Sequence, residues 1–121
     1  QAAYNAAKFA VRGFTEALNQ EMRLAGHPVS VTCVHPGGIK TNIANKSTAV
    51  EGRDSAKLAE TFNKVAITTA SSAAKTIVDG VAKKKSRVLI GPDATAVDLM
   101  QRVLGPTYQR VVSIGAGRLI N

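Results

Sequence analysis

Residues 4–18 read YNAAKFAVRGFTEAL and belong to a long apolar pattern that continues to residue 25. Apolar side chains recur in it at three- and four-residue spacing, as they do on one face of an α-helix. Gly26 and Pro28 follow as residues that commonly end helices. The pattern predicts a helix over residues 2–25. We expect its apolar face to pack on a sheet, and that face comprises Ala7, Ala10, Val11, Phe14, Ala17, Leu18, Met22 and Ala25.

Tyr4 and Lys8 lie one helical turn apart in this predicted helix. Four residues correspond to a rise of about 6 Å and roughly one turn, so both side chains leave the same face. An ammonium group close to a phenol stabilises the phenolate, which would let Tyr4 exchange a proton near neutral pH. The alternative interpretation is an ordinary exposed pair near a helix start, because this spacing also occurs by chance. Tyr4 and Lys8 are therefore candidate catalytic residues.

The rest of the chain alternates between predicted strands and helices. The β-branched run VSVTCVH at residues 29–35 predicts a buried strand, and residues 87–90 predict a second one. A helix followed by a buried strand is typical of half of a βαβ unit in a mostly parallel sheet. Further helices are predicted over residues 54–65, over residues 72–84, and from a cap at Asp93 to the break at Gly105-Pro106. The helix over 72–84 is predicted to face inward through Ala74, Ile77, Val78 and Val81.

An irregular segment over residues 36–53 separates the first strand from the following helices. It opens with PGGIKT at residues 36–41 and contains scattered glycine, asparagine and hydroxyl residues. A loop this long inside a compact domain is usually functional. We therefore expect the functional site to include residues from its beginning.

The composition is that of an ordinary globular domain, with 121 residues, 45% hydrophobic and 20% charged. No run approaches the roughly 18 apolar residues that a membrane span needs, so no membrane partner is expected. The sole cysteine, Cys33, lies in an apolar run and is expected to be a buried thiol in a reducing, cytoplasmic compartment. No His, Cys, Asp or Glu set has metal-ligand spacing, so no metal site is expected.

The net charge of +8 raises nucleic-acid binding as an alternative function. The dense basic run, Lys83 to Lys85 with Arg87, falls where a helix is predicted to end, and cations there complement the helix dipole. No aromatic residue interleaves with that run to stack on bases. Nucleic-acid binding is accordingly the weaker hypothesis.

Three ordered segments together resemble the C-terminal half of a short-chain dehydrogenase/reductase. The first is the Tyr-x-x-x-Lys helix of residues 4–18, the second is HPGGIKT at residues 35–41, and the third is VLIGPD at residues 88–93. The resemblance implies an α/β fold, namely the C-terminal part of a doubly wound Rossmann-like parallel sheet. It also implies an NAD- or NADP-dependent enzyme, which interconverts a secondary alcohol and a carbonyl in a small-molecule substrate and is a homo-oligomer.

The resemblance assigns roles to individual residues. Tyr4 would be the acid–base group, and Lys8 would assist it and bind the nicotinamide ribose. Pro36 and Gly37 would let the backbone approach the nicotinamide. The main chain of Ile39 and the hydroxyl of Thr41 would hold the carboxamide. Residues 42–67 would form the substrate-side loop and helix, and Phe9 or Phe14 would face another protomer.

The sequence lacks the features that the family pattern places before the catalytic tyrosine. The family's glycine-rich pyrophosphate turn, its catalytic serine and asparagine, and the residue that selects NAD or NADP precede the tyrosine and have no counterpart here. We therefore expect residues 1–121 to be a fragment of one domain, with no dehydrogenase activity alone. The alternative is a non-catalytic truncated protein or a binding module derived from that fold.

Overall fold

A computed structural model of the chain describes residues 2–41 and 66–120, with side-chain surroundings up to residue 115. The predicted helix over 54–65 and nearly all of the substrate-side segment over 42–67 lie outside these residues. The elements are, in chain order, helix α1 (Ala2–Leu24), strands β1 (Cys33–Pro36), β2 (Ile39–Lys40) and β3 (Thr68–Thr69), helix α2 (Ala70–Ala82), strand β4 (Arg87–Ile90), helix α3 (Pro92–Leu104), a 3₁₀ turn (Gly105–Thr107) and helix α4 (Tyr108–Ile120).

The strands pair in parallel. β1 lies beside β4, with Cys33 opposite Arg87 and Pro36 opposite Ile90, while Ile39 of β2 lies opposite Thr68 of β3. Parallel neighbours need a crossover connection, and α2 lies in the segment that leads back to β4. The prediction of an α/β chain with parallel strands is confirmed.

The core forms where α2 covers this strand pair. Ala73, Val88 and Ile90 are buried together, and Val34, Ile39 and Ile77 pack against them. Gly80 allows α2 to approach closely, because a Cβ at that position would overlap the Val88 side chain. The predicted inward face of α2 is therefore wrong in part: Ile77 faces the core, but Val78 and Val81 are 65% and 53% exposed. Small residues, Ala73 and Gly80, occupy the contact instead of the larger valines.

The first strand is shorter than predicted. It begins at Cys33 rather than Val29, and Val29 is half-exposed. Its partner β4 has only the four residues from Arg87 to Ile90, so residues 29–32 pair with no strand in the part of the chain that the structure describes. They are held by other bonds: Val31 N–H donates to the buried Asn19 side chain, and the Thr32 hydroxyl donates to the Lys85 carbonyl.

The apolar face of α1 packs only in part, contrary to expectation. Asn19 is buried and Leu18 and Met22 are half-buried, and α1 contacts β1. Nearer its N-terminus, Phe9 and Phe14 are 61% and 70% exposed. The described strands thus cover the second half of α1 and leave its first half open. None of the described helices is long and apolar enough to cross a membrane.

The two ends of α3 are set by backbone geometry. Gly91 is the N-cap residue and Pro92 the first helical residue, and no side chain caps the helix. The prediction that Asp93 caps it is wrong, because the Asp93 carboxylate accepts a hydrogen bond from the Gly38 N–H instead. Gly105 and Pro106 end α3 as predicted, and a 3₁₀ turn leads into α4.

Candidate active site

The first turns of α1 bring Tyr4 and Lys8 together. Lys8 Nζ lies 5.3 Å from the centre of the Tyr4 ring. Tyr4 is 61% exposed. The arrangement follows directly from helical geometry, since side chains four residues apart are neighbours on a helix surface.

The loop after β1 is held by hydrogen bonds on both sides. Gly37 N–H donates to the Ile90 carbonyl at 2.9 Å, which ties the loop to the end of β4. Gly38 N–H donates to Asp93 Oδ2 at 2.5 Å, and the Gly38 carbonyl accepts from Thr68 N–H at 3.4 Å. These three hydrogen bonds restrain a loop with two adjacent glycines.

Lys8 shares a cleft of about 330 Å³ with this loop. The cleft lies between α1 and α3 over the ends of β1 and β4, and it is lined by Lys8, Phe9, Arg12, His35, Pro36, Gly37, Arg87, Leu89, Asp93, Ala94, Val97, Asp98 and Gln101. Of the predicted site residues, Lys8, Pro36 and Gly37 therefore come together. Tyr4 is adjacent through Lys8 but is not in the lining. Ile39 packs against the core, and Thr41 is half-buried at the end of the described loop.

The charges of the cleft are largely paired. Asp98 accepts hydrogen bonds from Arg102, at 2.8 Å, and from Arg87. These two guanidinium groups, Arg102 first, hold the pKa of the Asp98 carboxyl below its ordinary 3.8. Arg12 is paired with Glu16 at 2.9 Å. Both carboxylates are therefore charged at neutral pH.

His35 is half-buried at the end of β1. Burial lowers the pKa of its imidazole below the ordinary 6.5, and the nearby Arg87 and Arg12 cations act in the same direction. His35 is thus neutral at pH 7. Its Nε2 atom, Arg87 Nε and Asp93 Oδ1 are buried without a hydrogen-bond partner among the residues that the structure describes.

The nicotinamide end of a dinucleotide fits part of this arrangement. The volume is within the range of small-molecule sites, and Lys8 offers a donor beside the Pro36-Gly37 backbone. The residues described here provide no glycine-rich turn after a strand that could receive the pyrophosphate. Within the same residues, no three His, Cys, Asp or Glu side chains are placed to bind a metal ion. Cys33 is buried, as predicted.

Comparisons with known proteins match the part of the chain that carries this geometry. A family model described as short chain dehydrogenase matches residues 1–52, which include Tyr4, Lys8 and the loop at 36–41. The Mycobacterium tuberculosis protein SadH, which is named as an oxidoreductase, is 56% identical over 119 residues, or 98% of this chain. The chain belongs to the short-chain dehydrogenase/reductase family.

Other relatives in this short-chain dehydrogenase/reductase family are more distant. The mouse dehydrogenase/reductase SDR family member 7B is 30% identical over 106 residues, which cover 88% of this chain and 32% of that protein. The human SDR family member 11 is 37% identical over 62 residues, which cover 51% of this chain and 23% of that protein. The chain spans 43% of the length of SadH. No solved structure gave a significant match.

Some residues of the cleft in this short-chain dehydrogenase/reductase chain were not predicted from the sequence. Arg12 lines the cleft one helical turn after Lys8, and its four-residue spacing from Lys8 was a usable signal. Asp98 and Arg87 meet across the helix–strand boundary, and no local pattern signals that contact. The sequence predicts Asp93 only as a helix cap, because its partner Gly38 lies 55 residues away.

Proposed function

We propose that the protein containing this chain is an NAD- or NADP-dependent oxidoreductase that interconverts a secondary alcohol and a carbonyl in a small molecule. The observation that carries the proposal is the Lys8 ammonium, which lies 5.3 Å from the Tyr4 ring and also lines the cleft formed by Pro36 and Gly37. The family and its oxidoreductase relative support the reaction class.

In this proposal a bound nicotinamide supplies or accepts the hydride. Tyr4 donates its phenolic proton to the carbonyl oxygen during reduction and takes a proton from the alcohol during oxidation. Lys8 stabilises the Tyr4 phenolate that forms in between and donates a hydrogen bond to the nicotinamide ribose. The role of the protein is to place these groups and the substrate oxygen within hydrogen-bonding reach.

The proposal gives the loop a binding role. Pro36 and Gly37 let the backbone of the loop approach the nicotinamide. The main chain of Ile39 and the hydroxyl of Thr41 hold the carboxamide. The whole of residues 1–121 would then be the C-terminal part of a doubly wound Rossmann-like domain, with residues 42–67 on the substrate side.

The proposal also covers assembly and compartment. Phe9 and Phe14 are exposed on α1, which supports a homo-oligomer in which this helix meets another protomer. Cys33 is a buried free thiol, which agrees with a reducing cytoplasmic environment.

The test is kinetic and uses the full-length native polypeptide. Secondary alcohols are screened with NAD⁺ and NADP⁺, and formation of the reduced nicotinamide is followed by absorbance. We expect Tyr4→Phe to lower kcat/KM by roughly 10²–10⁴-fold, because it removes the acid–base group, while cofactor affinity is kept. The matched control is Tyr108→Phe on α4, which should leave kcat/KM unchanged.

Two results would count against the proposed function. If Tyr4→Phe turned over as fast as the native protein, Tyr4 would not be the acid–base group. If the native protein bound neither dinucleotide, the chain would be a non-catalytic module that keeps the family's residues without their chemistry.

A further inference from the structure

The Asp93 carboxylate lies between two glycine-containing turns. Its Oδ2 atom accepts a hydrogen bond from Gly38 N–H at 2.5 Å, in the loop that follows β1. Its Oδ1 atom is buried and has no partner among the described residues. Asp93 stands in the first turn of α3 and leaves that helix uncapped. The Asp93 side chain therefore binds the loop and does not cap the N-terminus of α3.

Two glycines make the room that this carboxylate occupies. A Cβ on Gly37 would overlap the Asp93 carboxylate, and so would a Cβ on Gly91. Gly91 also has a φ of +93°, a conformation that favours glycine over any residue with a Cβ. The contact between Asp93 and the loop is thus built from two segments that are distant in sequence, residues 37–38 and residues 91–93.

The remaining bonds of the loop are between backbone groups. Gly37 N–H donates to the Ile90 carbonyl, and Thr68 N–H donates to the Gly38 carbonyl. The loop is therefore held by the end of β4 and by the start of β3. Asp93 adds a charged acceptor, which makes a stronger bond than a neutral carbonyl does. Adjacent glycines have much conformational freedom to lose, and a strong bond to one of them restricts the loop most.

We propose that Asp93 is a positioning residue that holds the Pro36–Gly38 loop in the conformation that receives the nicotinamide end of the cofactor. This inference rests on the proposed function. Asp93 lines the same cleft as Lys8, Pro36 and Gly37, so the bond to Gly38 fixes the loop relative to Lys8. Asp93 acts through its hydrogen bond to Gly38.

The experiment measures the bond and its consequence separately in the full-length native polypeptide. Hydrogen exchange of the Gly38 amide, followed by NMR without cofactor, reports on the bond. Titration with NADH and with NADPH, followed by nicotinamide fluorescence, reports on binding. The variants are Asp93→Ala, which removes the acceptor, and Asp93→Asn, which keeps an acceptor oxygen. The control is Asp79→Ala, an exposed aspartate paired with Lys75 on α2.

We expect Asp93→Ala to speed exchange at Gly38 and to raise the Kd of the reduced cofactor, each by about tenfold, as loss of one hydrogen bond to a charged group implies. Asp93→Asn should recover most of both effects, and Asp79→Ala should change neither. If Asp93→Ala does not fold, Gly37→Ala replaces it for the exchange measurement, because its Cβ displaces the carboxylate and should also speed exchange at Gly38.

The possible failures are distinguishable. If exchange of the Gly38 amide is unchanged in Asp93→Ala, Asp93 does not protect that amide and the inference is overturned. Faster exchange with an unchanged Kd overturns the positioning role, although the bond exists. A native protein that binds neither NADH nor NADPH overturns the proposed function, and the inference with it, whatever the exchange at Gly38 shows.

Discussion

Asp98 is a single carboxylate shared by two arginines at the edge of the cleft. Arg102 lies one turn further along α3, and Arg87 reaches it from β4. Because both cations favour the ionised form, the pKa of Asp98 is below its ordinary 3.8. The pairing contributes stability above pH 3.8, and that contribution is lost as the pH falls through the lowered pKa.

Removing Arg102 should reverse the lowering of the Asp98 pKa. We expect Arg102→Gln to raise the pKa of Asp98 toward 3.8, because the hydrogen bond from Arg102 is the largest cause of the lowering. An NMR titration of the Asp98 carboxyl carbon measures the change directly. Arg110→Gln, an exposed arginine on α4, is the control and should leave the Asp98 midpoint in place. A midpoint that stays low in Arg102→Gln would show that Arg87 alone sets it.

Predictability at the residue scale depends on separation along the chain. The Tyr4–Lys8 pair could be predicted because helical geometry places residues four apart on one face. The bond from Gly38 to Asp93 could not, because it joins residues 55 apart and depends on the register of β1 against β4. From the sequence alone, Asp93 is therefore predicted as a helix cap, and only the folded structure shows its contact with the loop after β1.

Two helices end in the same hydrogen-bonding pattern with different residues at the critical position. After α1, His27 N–H binds the Met22 carbonyl and Gly26 has a φ of +69°. After α2, Lys85 N–H binds the Gly80 carbonyl and Lys84 has a φ of +51°. Both are Schellman motifs, but the left-handed position favours glycine and strains a lysine.

Replacing this lysine should stabilise the fold. We expect Lys84→Gly to raise the free energy of unfolding by about 1 kcal/mol, because it relieves the left-handed strain. Lys83→Gly is the matched control: Lys83 has a φ of −88°, so glycine there relieves nothing and should cost about 0.5–1 kcal/mol. Urea unfolding of the full-length native polypeptide measures both. A Lys84→Gly variant no more stable than the native protein would mean that the turn carries no strain.

Element boundaries were predictable where local signals act alone. Gly26 ends α1 and residues 87–90 form β4, as their turn residues and aliphatic run indicate. The first residue of β1 and the inward face of α2 were not predictable from local signals, because each depends on contacts with β4. Among the described residues β1 pairs only with the four residues of β4, and α2 turns the small residues Ala73 and Gly80 toward β4.

For the whole molecule, the described residues bury little apolar surface compared with what they expose. Cys33, Ala66, Ala73, Val88 and Ile90 are buried, whereas large apolar side chains remain exposed along α1, α3 and α4. A single-domain protein normally buries more, and open apolar faces mark surfaces that meet another chain or another part of the same protein. The exposed faces of the described residues are therefore candidate surfaces for such contacts.

A polypeptide of these 121 residues should therefore associate with itself, and the first half of α1 should drive the association. Phe9 and Phe14 are 61% and 70% exposed, and burying each would be worth about 1.5–3 kcal/mol. We expect sedimentation velocity to show species larger than 12.6 kDa. Replacing both phenylalanines by serine should weaken the association by at least tenfold, because the two losses together exceed about 1.4 kcal/mol. Gln20→Ser, an exposed polar change on the same helix, should leave it intact. A polypeptide that stayed monomeric at high concentration would contradict this prediction and show that Phe9 and Phe14 do not drive association.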